Sequence, residues 1–85
     1  MTRDDIYKLI DEERTRQNEM WGRVHPVPWS DWVMVMTEEM GEVARAAHDA
    51  IYGTVRDRDE NIDNLCAELI QVAACAVWWL EELNS

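Results

Sequence analysis

The chain has 85 residues, 47% of them hydrophobic, with five Trp, no Phe, three Gly and two Pro, and a formal net charge of −10. That length gives one domain, residues 1–85, with a core too small to be secure without a partner. So few turn residues argue against a turn-rich β fold. With eight basic residues against eighteen acidic ones, there is no basic stripe to displace counterions from a nucleic acid. The expected class is all-α.

The first helix is expected to start at Thr2, with Asp5 three residues on to complete a capping box. Ile6, Leu9 and Ile10 give it a narrow apolar stripe, whereas Asp11 to Glu19 is almost wholly polar and suits a solvent-facing or fraying end. Gly22 is the expected stop. The segment WGRVHPVPW from Trp21 to Trp29 holds both prolines and reads as an ordered loop. Trp21 and Trp29 either cap the core or form a lid whose ring stacks on a nucleobase, and His25, a loop histidine before proline, reads either as a structural or exposed residue or as a contact for a phosphate.

Ser30 is expected to cap the second helix, with Asp31 at its positive dipole end. Trp32, Val33, Met36, Met40, Val43, Ala47, Ala50 and Ile51 recur at helical spacing until Gly53. Glu38, Glu39 and Glu42 fall within an arc of about 100° on this helix, and their mutual repulsion invites a cation. Ala46 shares that side, where a small residue lets another helix or a ligand come close. His48 lies off the arc and reads as an exposed helical histidine.

A short charged loop, Gly53 to Asp59, makes the second and third helices antiparallel neighbours, with Asp59 as cap and an end near Leu83. The second half of the third helix is apolar nearly all round, so it must be buried on every side. Three helices in one short chain cannot do that. The expected assembly is therefore a homodimer, or a homotetramer, centred on this helix. The longest apolar stretch, Leu69 to Leu80, is twelve residues broken by Gln71, too short to span a bilayer. Cys66 and Cys75 lie on opposite sides of the helix and cannot bridge within one chain. With no apolar N-terminal signal segment, the expected setting is reducing and cytoplasmic.

Asn61, Asn64, Glu68 and Gln71 line one stripe of the third helix and are expected to face the carboxylates of the second. Glu39, Glu42, Glu68 and Gln71 then suit one Mg²⁺ site, or Mn²⁺ in its place, with phosphate oxygens and water completing the octahedron. Glu38, one step around the arc, is placed to hold a second ion or polarise an attacking water. The plain alternative is a solvated acidic helix face.

The run EEMGE at Glu38–Glu42 followed by ELIQ at Glu68–Gln71 resembles the MazG type of all-α nucleoside triphosphate pyrophosphohydrolases. In that family EE-x-x-E precedes E-x-x-D by one to three dozen residues, and 25 residues separate Glu42 from Glu68 here. ER-x-RQ-x-x-x-WG at Glu13–Gly22 agrees in style, as in short MazG-like proteins, many carried by phages. The resemblance implies a helical homodimer or tetramer that hydrolyses an NTP or dNTP to the monophosphate and pyrophosphate with Mg²⁺, for nucleotide-pool house-cleaning. It implies Glu39, Glu42 and Glu68 as metal ligands, with Glu38 assisting the metal or the water. The candidate catalytic residues are therefore Glu38 and Glu39, and from the loop and the polar stripe the candidate substrate-binding residues are Asn64, Trp21 and His25. The family's last position is Asp; Gln71 offers a neutral carbonyl, a poorer ligand for Mg²⁺. The alternative is therefore a non-catalytic or weakly active nucleotide- or partner-binding helical dimer.

Overall fold

A computed structural model describes residues 1–21, 28–53 and 57–84. They form α1 (Arg3–Trp21), α2 (Trp29–Tyr52) and α3 (Arg58–Leu83), with no strand among the described residues. No helix of these is long and apolar enough to cross a membrane.

The helix ends follow local chemistry. Thr2 and Asp5 form the expected reciprocal cap: the Asp5 amide donates to Thr2 Oγ1 at 3.2 Å and the Thr2 amide to Asp5 Oδ2 at 2.9 Å. The cap of α2 is not Ser30 but Pro28, whose carbonyl accepts from the Asp31 and Trp32 amides at 2.9 and 3.2 Å. Proline brings a preset φ, here −56°, and a carbonyl free to open the helix. That leaves Ser30 already inside the first turn. On α3 the cap is Asp57, whose carboxylate accepts from the Glu60 amide at 2.9 Å, two residues before the expected Asp59. Asp59 and Glu60 instead supply negative charge to the first turn. Gly53 ends α2 with φ −57°, so space rather than a left-handed turn selects glycine. A Cβ there would run into the Asp49 carbonyl and the buried Asn61 amide.

Helix α3 is the centre of the molecule. It packs on both α1 and α2, whereas no Cα of α1 comes within 8 Å of one in α2 among the described residues. Helices α2 and α3 run antiparallel. Trp32 at the start of α2 meets Trp78 and Trp79 near the end of α3, and Gly53 meets Asn61. Helix α1 crosses α3, because Glu12 and Arg16 lie beside Asp63–Gln71 while Tyr7 and Arg14 lie beside Val77 and Glu81.

The buried apolar set is short: Trp32, Val43, Ala46, Ala74 and Cys75. Ala46 and Ala74 let the backbones approach. Around Trp78 the aromatic rings gather, with Trp21 stacked at 6.2 Å and Trp32 edge-on at 5.4 Å. Trp21 and Trp29 belong to helix ends, not to a loop as the prolines suggested. The polar run Asp11–Glu19 is neither solvent-facing throughout nor frayed. Arg14 is 8% exposed and Gln17 2%. Arg14 forks onto Glu81 at 3.0 and 3.3 Å and covers the Trp78 ring at 4.4 Å, while Gln17 Nε2 reaches Cys75 Sγ at 3.6 Å. Here polar side chains form the interface, so hydrophobic periodicity could not reveal it.

One face of the α2–α3 pair is open. On α2, Val33, Met40, Ala44, Ala47 and Ile51 are exposed or half-buried. On α3, Ile62, Cys66, Leu69, Ala73, Ala76, Leu80 and Leu83 are likewise. The α3 positions alternate steps of four and three, and the α2 positions follow the same heptad frame with Thr37 filling the remaining place. Each stripe lies roughly 100° around its helix from the α2–α3 contact. Because the helices are antiparallel, both stripes turn to the same side of the pair.

Candidate metal centre

The α2–α3 antiparallel register brings Glu68 level with the Glu39–Glu42 turn. One carboxylate oxygen from each of Glu39, Glu42 and Glu68 lies within 4.8 Å of the others. Glu39 sits at the edge of the buried face of α2, as its position on the helical wheel predicts, and Glu68 is half-buried opposite it. Glu42 is more exposed.

Two oxygens of this group, Glu39 Oε2 and Glu68 Oε2, are buried without a hydrogen-bond partner. Such atoms are uncommon, since leaving a buried acceptor unsatisfied costs about 1–3 kcal/mol. Burial first, and then the charges of Glu42, Glu13 and Glu38, push the Glu39 carboxyl above its ordinary value. Burial raises Glu68 too, followed by the close approach of the Glu42 carboxyl and the charges of Glu42 and Glu39. Each group thus resists ionising beside the others, and a hard divalent cation would reverse that preference. Three carboxylates with orphaned oxygens fit Mg²⁺ or Mn²⁺ by donor type.

The expected polar stripe on α3 divides among three surroundings. Asn61 packs at Gly53, and Asn64 is half-buried one turn before Glu68. Gln71 lines a groove of about 580 Å³ between α1 and α3, together with Glu12, Glu13, Arg16 and Asp63, and so turns towards α1 instead of facing α2 squarely. Glu38 is exposed beside the cluster and acts on Glu39 through its charge. Trp21 stands in the tryptophan cluster, and His25 lies outside the described residues. His48 is exposed, 4.9 Å from the Tyr52 ring.

Sequence spacing missed the contribution of α1. Glu13 and Arg16 both act on Glu39 from that helix. They form an exposed-to-half-buried ion pair, with Arg16 Nε and Nη2 each donating to the Glu13 carboxylate at 2.7 Å. The i,i+3 pairing was readable, but nothing local in the sequence said that it would stand beside residue 39.

No family model, curated protein or solved structure matches the chain. The likeness to MazG-type proteins therefore rests on the residues quoted above.

Proposed function

We propose that the protein is a Mg²⁺-dependent nucleoside triphosphate pyrophosphohydrolase of MazG-like character. The observation that carries this reading is the convergence of Glu39, Glu42 and Glu68 within 4.8 Å, with two orphaned buried oxygens. These three side chains would hold the ion, with Asn64 and Gln71 about one turn before and after Glu68 on α3. Bound there, Mg²⁺ supplies charge neutralisation for a phosphoanhydride. Exposed Glu38 is the chain's own group for accepting a proton from the attacking water, as its neighbours are committed to the ion. The products are a nucleoside monophosphate and pyrophosphate. A cytoplasmic setting, with Cys66 and Cys75 both free, belongs to the same reading.

The test is release of pyrophosphate from a panel of NTPs and dNTPs with Mg²⁺ or Mn²⁺. Turnover that falls at least 100-fold in Glu39→Gln is the expected result, and absence of turnover with every nucleotide overturns the proposal. Gln71, neutral and drawn towards α1, favours a second reading as a nucleotide-binding dimer without strong catalysis. In that case nucleotide raises the melting temperature but is not consumed.

The same proposal includes a homodimer formed by a second copy docking on the open α2–α3 face. The accessible surface is 6480 Å², whereas a monomer of 10.0 kDa has about 5,200 Å² on average. The excess, over 1,000 Å², is comparable to what one partner contributes to a stable interface. The paired heptad stripes give that surface the pattern of a four-helix seam.

A further inference from the structure

Among the described residues, Arg16 is the one basic side chain that lines the groove between α1 and α3, and it shares that groove with Gln71. Its charge also reaches Glu39 in the carboxylate cluster. Two of its nitrogens are engaged by Glu13, but Nη1 lies against Met20 Sδ at 2.6 Å. A thioether is a weak acceptor. A phosphate oxygen offers a far stronger one, and the guanidinium fork matches phosphate geometry. The side chain is 46% exposed, so it can turn without disturbing packing.

We propose that Arg16 is the phosphate-binding residue of the site, giving up its thioether contact, and in part Glu13, to grip the triphosphate of the substrate while the carboxylates hold the ion. This rests on the nucleotide reading above. The arrangement is a divided one: α2 and α3 provide the anionic half and Arg16 of α1 the cationic half, with Glu13 holding the guanidinium in the groove beside Gln71. A metal-bound triphosphate would suit both halves, its ion meeting the carboxylates and its phosphate oxygens meeting Arg16.

The experiment uses two probes on the full chain, Mn²⁺ alone and inorganic triphosphate in the presence of Mn²⁺, and so is independent of the base. In Arg16→Gln, Mn²⁺ binds as tightly as in the wild type or more tightly, because a repelling charge has gone. Triphosphate binding weakens about tenfold or more, the loss expected for a charged hydrogen bond. Arg16→Lys recovers part of that loss. Lys8→Gln, which removes an equal charge from an exposed position of α1, stays within twofold of wild type. Equal weakening by Lys8→Gln and Arg16→Gln, triphosphate affinity unchanged in Arg16→Gln, or no triphosphate binding to the wild type overturns the inference. If the wild type hydrolyses no nucleotide but Arg16→Gln still loses triphosphate selectively, the pyrophosphohydrolase reading fails while the anion site stands.

Discussion

Glu39 and Glu68 hold their protons more firmly in the folded chain than in the unfolded one, since burial and neighbouring carboxylates raise both. By linkage, their contribution to stability is full below the unfolded carboxylate value of about 4.3 and is lost as pH rises through the raised folded values. Metal-free protein therefore loses stability from these two groups over that window. Glu68→Gln removes one of the repelling charges, so it should raise the metal-free melting temperature at pH 7–8 by about 2–4 °C. It should also abolish the rise produced by Mg²⁺. Thermal melts of EDTA-treated wild type and variant from pH 4 to 8 measure the difference, which should be near zero at pH 4 and grow towards pH 8; a difference that shrinks with pH refutes the account. At this scale much of the site was legible. The i, i+1, i+4 run on α2 and Glu68 on the next helix were readable because helical geometry alone places them. Glu13, Arg16 and Gln17 were not, because their partners lie on other helices, up to 58 residues along the chain for Gln17 and Cys75.

Among the elements, α1 shows how a helix can dock with little apolar surface. Arg14 lays its guanidinium over the Trp78 ring and forks the same group onto Glu81, so packing and charge act through one side chain. Arg14→Ala should cost about 1–2 kcal/mol and lower the melting temperature by roughly 4–12 °C in a domain of this size. Arg14→Met should recover the packing share only; calorimetry on the two variants separates the contributions. The three helices were readable from hydropathy, and their ends to within a residue or two. The caps were less so: Ser30 and Asp59 are good capping residues, but Pro28 and Asp57 come first along the chain and take the position. A polar docking face has no periodic signature, so the Asp11–Glu19 interface stayed hidden until α3 was in place.

For the whole molecule, the radius of gyration is 14.2 Å and the extents are 42 × 28 × 20 Å. A compact chain of this length has a radius near 12 Å. The surplus goes with the open α2–α3 face, where Ile51 and Leu80 are 71% and 58% exposed. Glutamate at either position should leave the protomer folded but convert a species of twice 10.0 kDa into one of 10.0 kDa by light scattering; a wild type already at the lower mass refutes the dimer. The expectation of a partner came from the all-round apolar second half of α3, while the face proposed for it required both helices in register. The tie between α1 and the rest has a further outcome. Among the described residues the backbone of α1 approaches α3 alone, and it docks there largely through polar groups, with Trp21 stacked on Trp78 at its end. Because that attachment leans on the Arg14–Glu81 fork, raised ionic strength should loosen α1 before it loosens the α2–α3 pair, which amide hydrogen exchange at low and high salt would read.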